Sequence, residues 1–337
     1  MKGIFVTAKN QTAILDLPEP AIGPYEALVQ VEACGICNST DWKIIHGEFV
    51  SGTFPVLLGH ESAGSVIQVG EKVRSFKVGD LVLRSTLRDG HVPYPGGRSC
   101  WGGFVERAIV ADVWAQQGAA YNSFPHPQQV VPPSISAVQA ATSITLKETL
   151  SCLYSTDVQP GQSLAIVGTG PVAQTLVLFA KLSGISPVVV LGRRAGWAGR
   201  FAALGADGYA TAEDTPPEVR VILDHGGFDR AIEAVGARDA LARCLEVIAP
   251  AGKINIYGVA PESEPHLSKH LADPRVFHGK VAEAETHEQL FRWVNEGKVD
   301  LDDWISHTLP WRDYRRGFEM VQDKTANKVI LTWQSDN

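Results

Sequence analysis

The chain has 337 residues, 45% of them hydrophobic and 20% charged, with 32 glycines. It is about twice a typical single-domain length, so two domains with separate cores are expected, and its composition excludes disordered, fibrous and membrane-spanning classes. A formal net charge of −7 with no basic block excludes a nucleic-acid partner, because phosphate backbones are held by clustered lysines and arginines.

The first residues, Met1–Thr7, read as a strand with no apolar run followed by a cleavage signature. No stretch approaches ~20 uninterrupted apolar residues, so a cytoplasmic chain with no membrane partner is expected. The cysteines at 34, 37, 100, 152 and 244 are odd in number and scattered, which speaks against a disulfide framework and leaves thiols free for a metal. Short alternating or β-branched runs at 27–31, 64–69 and 104–110, separated by Gly and Pro, predict a β-rich, barrel-like first half. From about residue 150, apolar runs at 164–167, 188–191, 231–235 and 254–257 alternate with segments of helical period such as Val172, Leu176 and Phe179. Strands alternating with helices mean βαβ units, so the fold class is α/β: a doubly wound parallel sheet beside a β-rich domain. The tail predicts a helix around Leu290, Phe291 and Val294, another over Tyr314–Val321, and a last strand Lys328–Trp333.

Leu164-Ala165-Ile166-Val167 runs into Gly168-Thr169-Gly170-Pro171-Val172-Ala173 and then into a helical pattern, the strand-to-helix context that gives a glycine fingerprint its meaning. Gly168 allows the tight turn, Gly170 lets the backbone approach a pyrophosphate, and Pro171 and Val172 open a helix whose N-terminus favours an anion. At the end of the second strand, where a carboxylate would bond a ribose 2′-hydroxyl, stands Gly192, followed by Arg193-Arg194. The missing acid removes repulsion and the arginines add charge-assisted bonds, so NADP(H) is favoured over NAD(H).

Cys37 lies in the run Ala33–Asp41, and Gly59-His60-Glu61 opens a run of spaced glycines and valines ending at Gly70. In these residues the sequence resembles the zinc-containing alcohol dehydrogenase branch of the medium-chain dehydrogenase/reductase superfamily. Further counterparts are 104–110, 168–173, Asp229–Gly236, Pro250–Lys253 and Asn327–Leu331, so the resemblance spans nearly the whole chain. It implies a GroES-like catalytic domain over 1–149 and 293–337 and a Rossmann dinucleotide domain over 150–292.

The same resemblance implies a catalytic zinc held by Cys37 and His60, with Glu61 either ligating or standing just behind. For the fourth position, an ungapped count back from Pro160-Gly161 reaches Ile144, which cannot ligate; one helical turn on lies Glu148, so Glu148 or water fills the slot. Ser39 is two residues after Cys37 and Thr40 precedes Asp41, and either hydroxyl could relay the substrate proton. Between Gly79-Asp80 and Gly102-Gly103 only Cys100 occurs, so the second, structural zinc of many relatives is not expected. The piece His91–Trp101 is expected near the substrate mouth. The implied activity is hydride transfer between NADP(H) or NAD(H) and a small-molecule secondary alcohol or ketone, such as a polyol or sugar. A homodimer or homotetramer paired through a sheet edge at Lys253–Tyr257 is implied as well. Two other readings stay open: a zinc-free quinone or enone reductase of the same superfamily, against which Cys37 and His60-Glu61 count, and a non-catalytic dinucleotide-binding homologue.

Overall fold

The computed structural model describes residues 1–37, 39–50, 52–116, 129–259 and 272–333; Asn38 of the cysteine run lies outside them. The chain divides into two compact units, Met1–Thr145 with His287–Asn337, and Leu146–Thr286.

In the first unit the organising element is the strand Glu26–Gly35. It pairs antiparallel with Ser62–Val69, Arg107–Ala111 and Val329–Thr332, which is why nearly all of its ten residues are shielded. Its last residues fix the site: Cys34 lies opposite both Ser62 and Leu331, and Gly35 opposite Ile330. Beyond the ladder, the Gly35 N–H donates to Glu61 O at 3.0 Å and the Ile36 N–H to Val329 O at 2.9 Å. Three distant segments, around residues 35, 61 and 329, therefore meet at one sheet end.

A second sheet of the same unit, four-stranded among the described residues, runs in the order Gln11–Asp16, Lys2–Ala8, Val56–Leu57, Arg98–Ser99. The strand expected at 104–110 begins only at Arg107, because Phe104 and Val105 bridge to this sheet instead: Phe104 N–H donates to Leu58 O at 2.9 Å and Val105 pairs with Gly3. The 91–101 piece is anchored here too. Tyr94 donates its hydroxyl to Asp16 O at 2.6 Å and its ring meets Phe5 edge-on at 5.7 Å. Phe5, Leu57, Phe104, Phe318 and Trp333 belong to one buried core, each large side chain contributing ~1.5–3 kcal/mol by leaving water. The helix Tyr314–Gln322 turns Tyr314, Gly317, Phe318 and Val321 inward, a single stripe of helical period.

The second unit holds a sheet that is six-stranded and all parallel among the described residues. Its order is Gly208–Ala210, Val188–Leu191, Leu164–Val167, Phe228–Glu233, Ile248–Ile256, Val276–Phe277. Numbered within the unit this is 3-2-1-4-5-6, the doubly wound Rossmann order, whose switch point lies beside Leu164–Val167. Every residue of Leu164–Val167 and Val188–Leu191 is buried, as expected for strands covered on both faces. The run expected at 231–235 ends at Glu233, because its carboxylate accepts the N–H groups of Val235 at 2.8 Å and Gly236 at 2.9 Å and turns the chain out of the ladder. The sheet edge expected at Lys253–Tyr257 is corrected: Val276 and Phe277 pair with Ile254 and Asn255 and cover it. Among the described residues no helix is long and apolar enough to cross a membrane.

Candidate metal and dinucleotide sites

Cys37, His60 and Glu61 converge in the first unit, each offering a ligand atom within 4.8 Å of the others'. Among the described residues they are the one such group of three. Cys37 follows the strand Glu26–Gly35 by two residues, and His60-Glu61 immediately precedes the strand Ser62–Val69, so the ladder itself brings thiol and imidazole together. His60 Nδ1 faces Asp41 Oδ1 at 3.4 Å, close enough for an ion pair but without a formed hydrogen bond, while Nε2 faces Glu61 Oε1 at 3.8 Å. A carboxylate behind one ring nitrogen holds the imidazole so that the other is presented to a metal.

His60 and Glu61 are buried, Cys37 is half-buried, and their surroundings are strongly charged. Glu61, 2% exposed, pairs with Lys328 Nζ and accepts a 2.9 Å bond from the Thr145 hydroxyl; Lys328 also donates to Thr145 Oγ1 at 3.0 Å. Burial works against the charge on Glu61, yet Lys328 and His60 outweigh it and hold the carboxyl below its ordinary value. Burial equally opposes the charge on Lys328, and the attraction of Glu61 and Cys37 raises it above the usual amine value. For His60 burial again disfavours the cation, but Asp41 and Cys37 more than reverse this and leave the imidazole well above its usual value. A cysteine sulfur, an imidazole and a carboxylate placed together fit a catalytic divalent zinc, whose usual donors these are.

Ser39 occupies the position before the helix Thr40–Ile45 without making a side-chain cap; its Oγ instead accepts from Lys43 Nζ at 3.3 Å. The Thr40 N–H is directed at Cys37 Sγ, 3.5 Å away. Asp41, one residue into that helix, accepts the Cys37 N–H at 2.9 Å while facing His60, so it ties the two ligands together. Trp101 stands against the metal group, its ring 5.0 Å from the His60 ring. On the helix Ala137–Ser155 the residue that touches Glu61 is Thr145; the group of three does not include Glu148, which belongs to the second unit. Sequence reasoning passed over Thr145, Lys328, the role of Asp41, and Gly35, where a Cβ would strike the Glu61 carboxylate. Lys328 stood in the quoted ending Asn327–Leu331, and a lone lysine leading a buried apolar strand was the available signal.

In the second unit, Gly168 ends its strand at φ +135°, a torsion that favours glycine, with its N–H on Leu191 O at 3.1 Å. Gly170 begins the helix Pro171–Leu182, Pro171 takes its first position, and a Cβ on Gly170 would face open space. Val172, in the first turn, accepts the Thr175 hydroxyl at 2.8 Å. Gly192 follows Val188–Leu191 directly, and Arg193 and Arg194 are exposed beyond it, Arg194 lying 5.8 Å over the Trp197 ring. An exposed glycine at a helix start and two exposed guanidiniums after the adjacent strand are groups of the kind that hold phosphates.

Residues 23–118 match the model of the alcohol dehydrogenase GroES-like domain and residues 171–281 that of the zinc-binding dehydrogenase, together more than half the chain. An L-threonine 3-dehydrogenase of Pyrococcus abyssi is 29% identical over 94% of this chain and 93% of its own length. An uncharacterized zinc-type alcohol dehydrogenase-like protein of Escherichia coli K12 is 27% identical over 96% of each. Among solved structures, alcohol dehydrogenase TADH of Thermus sp. ATN1 superposes with a TM-score of 0.79 at 26% identity, over 99% of this chain and 100% of that one.

Proposed function

The chain belongs to the zinc-containing medium-chain dehydrogenase/reductase superfamily and is a zinc-type alcohol dehydrogenase-like oxidoreductase; on that premise we propose that it transfers a hydride between NADP(H) and a secondary alcohol or the corresponding ketone. The observation that carries the reading is the convergence of half-buried Cys37 with buried His60 and Glu61. These three are the proposed protein ligands, with the fourth position left to water or substrate rather than to Glu148. Bound there, zinc supplies Lewis-acid polarisation of the substrate oxygen.

The chain's own residues do the rest. Asp41 keeps His60 in the ligating orientation, and Lys328 with Thr145 keeps Glu61 ionised and aimed. Ser39 is the proposed proton carrier rather than Thr40. Its hydroxyl is not used in capping, and the bond from Lys43 Nζ to its oxygen supplies a proton as the hydroxyl gives its own to the product oxygen of ketone reduction. The Trp101 ring walls the space beside His60. A secondary alcohol is favoured because the hydroxyl at C3 of threonine, named in the Pyrococcus abyssi relative, is one. NADP(H) is favoured because Arg193 and Arg194 follow Gly192 where an NAD-type site carries an acid.

The test is zinc per chain by elemental analysis, on wild type and Cys37→Ala, beside an NADPH-oxidation screen of ketones and keto-sugars. About one zinc, lost in the variant, with turnover of at least one ketone, is the expected result for a site with three protein ligands. A well-folded, metal-replete protein without zinc sinks the reading in favour of a zinc-free reductase.

A further inference from the structure

Gly192 is a glycine for want of space. Its backbone lies outside the left-handed region, unlike Gly168 at φ +135°, so no torsion demands glycine there. A Cβ at 192, however, would fall on the Tyr209 hydroxyl oxygen, 2.6 Å from Tyr209 Cζ and 2.7 Å from Thr169 Cγ2. Tyr209 comes from the neighbouring strand Gly208–Ala210, in register with Val190, and Gly192 N–H continues that pairing to Ala210 O at 2.9 Å. The phenol is held at both ends. Its ring stacks on the fully buried Phe201 at 5.7 Å, and its hydroxyl donates to Arg194 O at 2.7 Å. Moving it aside would break that bond and unstack the rings, so the crowding at 192 is not relieved by a flexible tip.

Position 192 is where a carboxylate would take a ribose 2′-hydroxyl. We propose that Tyr209 is the specificity-determining residue of the adenosine end: by occupying the space of any side chain at 192 it excludes the NAD-type acid, and by holding Arg194 it steadies the arginine pair for a 2′-phosphate. The proposal rests on the NADP(H) reading above. The discriminating element is therefore contributed by a strand seventeen residues downstream (209 − 192 = 17), and an acid placed at 192 alone cannot convert the cofactor preference.

Two measurements test this, neither of which needs turnover. The first is a melting-temperature cycle over wild type, Gly192→Ala, Tyr209→Ala and the double variant. Gly192→Ala should lower the melting temperature by several degrees beside Tyr209 and by less when Tyr209 is alanine, the Thr169 methyl remaining as the residual contact; equal losses in both backgrounds overturn the steric claim. The second is calorimetric titration of NAD⁺ and NADP⁺ into Gly192→Asp, with and without Tyr209→Ala. The expected outcome is no gain in NAD⁺ affinity for Gly192→Asp alone and a gain of about tenfold over Tyr209→Ala for the double variant, the scale of one hydrogen bond to a charged group. A comparable gain in Gly192→Asp with Tyr209 intact overturns the proposal. Wild type that binds NAD⁺ as tightly as NADP⁺ instead overturns the cofactor reading, while the melting cycle still decides whether Tyr209 denies residue 192 its side chain.

Discussion

Around Cys37, His60 and Glu61 the chain buries charge; around Gly168–Val172 and Gly192–Arg194 it leaves both charge and much of the backbone open. In the first region Asp41, His60, Glu61 and Lys328 are all at most 8% exposed as residues, and each leans on a partner from a distant segment. In the second the arginines are exposed, and what matters is the space beside Gly192 that Tyr209 fills. Removing a side chain should therefore be costly in the first region and mild in the second, whereas adding a side chain at Gly192 should be costly in the second.

The largest expected effect tests the first half of that contrast. Lys328→Met strands the Glu61 carboxylate, and uncompensated buried charge of this kind costs about 3–5 kcal/mol. Urea denaturation of the metal-free protein should show that loss, and Lys328→Met/Glu61→Gln should recover most of it. If single and double variants are equally unstable, Lys328 matters for packing and the buried-charge account fails. Next in size is Asp41→Asn, which removes the charge behind His60 while keeping the shape. Zinc affinity, read by competition with a chromophoric chelator, should weaken about 10–100-fold, as expected for a partner behind a ligating imidazole. An unchanged affinity would mean that Asp41 serves only the Cys37 N–H.

The two regions were also unequally legible in the sequence. The glycine loop reads locally, because strand, turn and helix start are contiguous, and Leu164–Val167 and Val188–Leu191 came out with their bounds intact. The ligands read as residue types, but what stands behind them did not. The ungapped count back from Pro160-Gly161 reached Ile144, one residue from Thr145, whose hydroxyl bonds Glu61, and no periodicity records that bond. Lys328 looks like a solvated residue leading a strand until Gly35 and the ladder to Val329 bring Glu61 beside it. Gly192 was legible as a missing acid, but the reason it is missing lies in Tyr209, on another strand. Val276–Phe277, two residues long, is too short for any period to announce it, so the sheet edge was misplaced.

In the second region, Arg194→Ala should lower NADP⁺ affinity about tenfold, the lower end for a charged hydrogen bond, and leave NAD⁺ affinity and melting temperature almost unchanged. Equal losses for both nucleotides would place Arg194 at the pyrophosphate and not at the ribose.

The smallest effect concerns a charge that the second unit does hold. Asp207 accepts from Lys181 Nζ at 2.8 Å, Val188 N–H at 2.7 Å and Ser186 Oγ at 3.3 Å. Burial opposes its ionisation, but Lys181 and the Val188 N–H prevail and hold the carboxyl below its usual value. A carboxyl lowered in the folded state contributes stability that is complete above the ordinary aspartate value of about 4 and fades as pH falls through the folded value. The stability gap between wild type and Asp207→Asn, followed by urea denaturation, should accordingly be constant above about pH 5 and close progressively in more acidic buffer. The pair is partly open to solvent, so the gap should be small. Asp207 sits at the amino ends of Val188–Leu191 and Gly208–Ala210, whereas Gly168 and Gly192 follow carboxyl ends. NADP⁺ affinity should therefore not change in Asp207→Asn, and a loss there would break the separation between a charged, structural end of this sheet and an open, nucleotide-facing one.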